Sequence, residues 1–132
     1  MIQKMQKMVL FTLIVFIASF SVAMGGEKAD AKNQGKTTIE PLKTYEDCIE
    51  LSPDQILDYA FESLRPLDFN IHCHENDKIV YPFAKDGISS DRGSFQSEKQ
   101  QYYCFMWTNP HAEPVGLKYE YRVKKCCEPA KP

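Results

Sequence analysis

Three features of the 132-residue sequence predict an all-β fold, a small antiparallel β-sandwich of six to eight strands. Apolar and polar residues alternate with a period of two in several segments, the pattern of a half-buried strand. Turn-forming residues recur about every eight to twelve positions, the spacing of sandwich strands. No segment joins a helical period to helix caps.

The first residues predict export. Lys4 and Lys7 precede an apolar run over 8–20, and Ser21-Val22-Ala23 offers small residues for cleavage, so residues 1–23 are expected as a signal peptide. The run is shorter than the about 20 residues of a comfortable membrane span, and no membrane insertion is expected after cleavage. Residues 24–44 are polar and without period, and a disordered linker is expected there. The domain then runs over 45–125, with 126–132 as a tail. Removal of 1–23 leaves 109 residues, one domain's length, with 14 basic against 18 acidic side chains and a net charge of −4. That balance disfavours nucleic acid and anionic membrane surfaces as partners.

Within the domain, Ser52-Pro53-Asp54 is a turn. Leu57, Tyr59 and Phe61 alternate with Asp58, Ala60 and Glu62, which predicts a strand to about Ser63; residues 54–64 also fit a helical spacing, the weaker alternative. Arg65-Pro66 should break the strand. A second one follows over 67–74, with Leu67, Phe69, Ile71 and Cys73 on one face and Asp68, Asn70, His72 and His74 on the other. Glu75-Asn76-Asp77 turns into a strand over 78–83, where Pro82 marks an edge. A loop is expected over 84–92 and a short strand over 93–97. Residues 102–108 are apolar or aromatic on both faces and should lie deep. After the turn at 109–114, Val115, Leu117, Tyr119, Tyr121 and Val123 form the cleanest amphipathic pattern in the chain.

The strand over 67–74 carries the chief candidate chemistry. His72 and His74 share a face, roughly 6.5–7 Å apart along the strand, and neutral imidazole suits zinc or copper. Two ligands are too few for either a structural or a catalytic zinc. His111 is the remaining histidine, and Asn70, Glu75 or Asp77 are possible additions to the shell. Cys73 points to the other face and is expected in the core, with a bridge to Cys126 or Cys127 as the alternative. Cupredoxin and multicopper-oxidase patterns fail: Met106 precedes His111 where a cupredoxin methionine should follow, and residues 75–80 lack the further histidine of the oxidases. Five cysteines in an exported chain predict some pairing and an odd thiol. The adjacent Cys126-Cys127, beside Lys124 and Lys125, leaves a redox role as a third and weaker option. No nucleophile motif, metalloprotease motif or phosphate loop is present, and the aromatic residues of the last strands read first as core.

Two stretches resemble the GOLD domain of the p24/emp24 cargo receptors. Glu46-Asp47-Cys48-Ile49-Glu50-Leu51 is similar to the family's opening strand, and Gly93-Ser94-Phe95 with Tyr103-Cys104-Phe105-Met106-Trp107-Thr108-Asn109 resembles its aromatic-Cys-aromatic strand. The resemblance spans about 45–124 and implies a GOLD-like or jelly-roll-like sandwich in which Cys48 pairs with Cys104. The family's membrane receptors continue into a coiled coil, a membrane span and a tail. The sequence here stops at Pro132 without them, so the cargo-receptor role is not expected to carry over. The resulting expectation is a stand-alone exported module, periplasmic or extracellular. It is expected to be non-enzymatic, to need no cofactor and to bind a protein or small ligand. The alternative is a periplasmic copper or zinc protein built on His72, His74 and His111.

Overall fold

The protein, as a computed structural model, is described over residues 32–126. Six strands follow in chain order: β1 Lys32–Ile39, β2 Thr44–Leu51, β3 Gln55–Glu75, β4 Lys78–Gln96, β5 Gln101–Thr108 and β6 Val115–Lys125. Every pairing is antiparallel. The sheet runs β1-β6-β3-β5-β2, and β4 lies along the remaining side of β3.

β3 organises the architecture. One side pairs with β4 over most of its length. The other side serves β6 from Gln55 to Ser63 and then β5 from Asp68 to His72. A single antiparallel sheet thus curls into two facing layers that share β3 and β4. The corner is a bulge: the register with β4 jumps between Glu62 and Leu67, where Pro66 has no N–H to offer the ladder. Ser63 Oγ donates to the carbonyls of Arg65 at 2.7 Å and Ser89 at 3.2 Å, which satisfies part of the disrupted backbone.

The alternation of β3 survives the corner, so Leu57, Tyr59 and Phe61 face Leu67, Phe69 and Ile71 in one core. β5 and β6 add Phe105, Trp107, Leu117 and Tyr119. Phe69 and Trp107 stack with centroids 5.4 Å apart, an aromatic packing that adds to area burial. On the open side of the curl the layers are tied by hydroxyls. Tyr119 Oη of β6 lies 2.9 Å from Tyr45 Oη and donates to Asp47 Oδ2 of β2 at 2.8 Å. β1 passes over this ring at Gly35, where any Cβ would collide with the Tyr119 side chain.

The expected strands over 57–63, 67–74 and 115–124 are present, as are the turns at 52–54, 75–77 and 109–114. Asn76 and Asp77 adopt φ of 45° and 63° in the hairpin turn, the left-handed geometry a two-residue hairpin needs. Pro82 sits, as expected, on a strand with one paired side among the described residues.

Three expectations are corrected. The linker expected over 24–44 includes β1, because the edge of β6 supplies an eight-residue ladder from Lys32↔Arg122 to Ile39↔Val115. The loop expected over 84–92 is strand, part of a continuous β4 that joins the short strand over 93–97 to the one over 78–83. The break at Arg65-Pro66 is a bulge within β3, since β4 bridges both sides of it. The signal peptide over 1–23, the start of the linker, and Cys127 with the rest of the tail lie outside the described residues.

Candidate functional site

The outer face of the β2-β5-β3-β4 layer carries the sequence-predicted site residues other than His111. Antiparallel register sets Cys48 of β2 opposite Cys104 of β5, and Cys104 opposite His72 of β3. Cys48 and Cys104 are joined in a disulfide, as the GOLD-like pattern implied. His74 lies one step further along, level with Ile79 of β4. Tyr102, two residues before Cys104, stands on the same face at that level.

His72 is only 3% exposed although it faces outward. The ring of Tyr81 covers it at 5.7 Å and that of His74 at 5.4 Å, centroid to centroid. Its Nδ1 donates to Asn70 Oδ1 at 3.0 Å. That bond selects the tautomer with a bare Nε2, which points toward Glu46 Oε1 at 3.9 Å. Burial pushes the His72 pKa down, Glu46 partly opposes this, and His74 adds to the lowering. The net effect favours the neutral ring.

Glu46, His72 and Cys104 bring one ligand-type atom each within 4.8 Å of one another. The Cys104 sulfur is spent in the disulfide, so this trio offers two free donors and not three. His111 is not brought to the pair. Its Nε2 donates to the carbonyl of Pro66 at 2.7 Å, and Pro66 precedes His72 by six residues, about 20 Å of strand. Cys73 is buried and free, with its thiol pKa raised chiefly by burial. Cys73 therefore lies in the core, as expected, and the alternative of a bridge to Cys126 or Cys127 is not made. Cys126 is itself disulfide-bonded.

Sequence reasoning missed the apolar rim of this face. Ile79 and Tyr81 are 49% and 51% exposed on this face near the tip of the β3–β4 hairpin, Tyr102 is 63% exposed across β3 from them, and Val80 between them, paired with Cys73, turns to the other face. Consecutive apolar residues next to an edge-marking proline were the available signal. Of six large hydrophobic residues exposed among the described residues, three gather on this face. Such clustering, unlike scattered exposure, marks an interaction surface.

No family model matches the chain, and no curated protein matches it. Solved structures do. Aeromonas hydrophila PliG, a periplasmic lysozyme inhibitor of g-type lysozyme, is 11% identical with a TM-score of 0.59, covering 74% of this chain and 90% of that one. The Yersinia pseudotuberculosis-derived mitogen is 11% identical with a TM-score of 0.54, covering 77% of this chain and 93% of that one. These likenesses establish the all-β fold.

Proposed function

We propose that the chain is an exported, non-enzymatic module that binds a protein partner through the Tyr81–Tyr102 face. The carrying observation is the gathering of Ile79, Tyr81 and Tyr102 around His74 on one face of the sheet. Tyrosine is enriched at protein interfaces, where its ring fills a pocket and its hydroxyl stays wet. The Cys48–Cys104 disulfide fits an oxidising compartment. PliG, an inhibitor, and the mitogen lend the non-enzymatic reading support at the level of fold. The resemblance of residues 46–51 and 93–109 to GOLD domains belongs to the same proposal, a stand-alone exported domain of that kind. A lysozyme is the first partner to test, since PliG is an inhibitor of g-type lysozyme.

A photo-crosslinking residue at Tyr81 or Tyr102, with Leu64 at the far corner as control, tests the face. A discrete adduct with one partner, found at Tyr81 and Tyr102 and not at Leu64, is expected from exported protein. Equal labelling at all three positions refutes the assignment. Inhibition of g-type lysozyme by the purified chain, lost in Tyr81→Ala, would identify the partner.

A second reading rests on the His72 tautomer. The Asn70 bond orients the imidazole as a metal-supporting hydrogen bond does, and Nε2 faces Glu46 with His74 adjacent. In this reading His72, His74 and Glu46 hold zinc or copper. Titration of chelator-treated, tag-free protein should then show one equivalent bound. An unchanged stoichiometry in the His72→Ala, His74→Ala double variant would rule it out.

A further inference from the structure

The opposite layer carries a second surface of different chemistry. Register places its outward residues in a grid across β1, β6, β3 and β4. One row reads Lys32, Arg122, Asp58, Ser94; the next Gln34, Glu120, Ala60, Arg92; the third Lys36, Lys118, Glu62, Ser90. Lys124 adds a further cation opposite Ile56. This face therefore holds six Lys or Arg against three Asp or Glu, in a chain whose overall charge is negative.

The ion pairs sharpen the imbalance. Each carboxylate is taken by a lysine: Glu120 by Lys32 at 2.7 Å, Glu62 by Lys118 at 3.2 Å and Asp58 by Lys124 at 2.6 Å. Arg92, Arg122 and Lys36 remain exposed, with no hydrogen bond or ion pair among the described residues. Both arginines lie near enough to Glu120 to help lower its pKa, after Lys32. Both line a depression of about 440 Å³ floored by Ala60, whose short side chain leaves the space open between Arg92 and Glu120, and Arg92 with Lys36 also lines an adjoining one of about 920 Å³. Two strand spacings and one two-residue step separate their Cα atoms by about 12 Å. That diagonal lies within the combined reach of two arginine side chains.

We propose that this face docks an acidic segment of a protein partner, with Arg92 and Arg122 as its carboxylate-binding groups and Lys36 at the rim. Guanidinium suits this role because its planar fork matches a carboxylate with two parallel bonds. Three committed lysine–carboxylate pairs hold the surrounding charges in place, and the excess positive potential steers an acidic partner inward. The surface lies on the layer opposite Tyr81 and Tyr102, so it does not depend on that face being an interface.

Fluorescence anisotropy of labelled hexaglutamate at low ionic strength, with hexalysine as the opposite-charge probe, tests the proposal. Hexaglutamate should bind and hexalysine should not. Binding should weaken by about tenfold with Arg92→Ala and again with Arg122→Ala. Both arginines are exposed, so the variants should keep the wild-type circular dichroism and melting temperature. Lys32→Ala, which removes an already paired cation, should weaken binding much less than either arginine variant. Equal loss in all three would reduce the effect to net charge and overturn the assignment. So would equal binding of both peptides, or binding of inorganic phosphate without hexaglutamate.

Discussion

Replacing Asn109 tests the tie between the end of β1 and the loop before β6 most directly. This side chain follows β5 and is 0% exposed. Its Nδ2 donates to the carbonyls of Ile39 at 3.0 Å, Glu40 at 3.2 Å and Glu113 at 2.8 Å, while Oδ1 accepts from the His111 N–H at 2.9 Å. One amide thus ties the end of β1 to the loop before β6. Asn109→Ala removes two donor hydrogens and one acceptor, and leaves at least three backbone groups short of a partner. At about 1 kcal/mol each, the loss is about 3 kcal/mol. For a domain of this size that lowers the melting temperature by roughly 12–24 °C. Thermal unfolding followed by circular dichroism, with urea titration alongside, measures it. Asn109→Asp keeps the acceptor for His111 but aims a carboxylate at carbonyl oxygens, so it should be worse than alanine at neutral pH. A fall below about 3 °C for alanine, or an aspartate variant as stable as the wild type, would refute the reasoning.

Tyr119→Phe removes the hydroxyl that joins Tyr45 and Asp47 across the open side, and should cost about 1–3 kcal/mol; an unchanged urea midpoint would show that the tie contributes nothing. Because the folded pKa of His72 lies below its unfolded value, the native state binds fewer protons than the unfolded chain. Stability is then full above about pH 6.5 and falls as pH drops toward the folded pKa, by at most about 1.4 kcal/mol per pH unit. Urea midpoints between pH 7.5 and 5 should show this slope, flattened in His72→Gln. Trp107 is 1% exposed, and its Nε1 is buried without a hydrogen-bond partner among the described residues. Trp107→Phe should therefore lose less than about 1.5 kcal/mol, whereas Trp107→Ala should lose about 3–5 kcal/mol; calorimetry that finds the two equal would place the side chain outside the core.

The strands that were legible are those with one buried face. β6 and the second half of β3 alternate because one side meets the aromatic core and the other meets solvent. β1 and much of β4 lack that contrast. β1 lies at one end of the sheet order, and the core position at Gly35 is filled by the Tyr119 ring arriving from β6. Between 84 and 92, β4 keeps only Ile88 as a half-buried large apolar residue, so its polar composition reads as loop. In both strands the ladder is supplied by the neighbour, which a local pattern does not display.

The candidate sites divide in the same way. Strand parity alone placed His72 and His74 on one face and Cys73 on the other, because side-chain direction along a strand is a local property. Tertiary structure decided the rest. It covered His72 with Tyr81, committed the Cys104 sulfur to Cys48, and held His111 at Pro66. It also drew Arg92 and Arg122, thirty residues apart, around Ala60. What the sequence by itself determined was period and facing. Which residues meet depended on how far β3 runs, and where it bends from β6 to β5, since only the bent strand brings distant segments into one register.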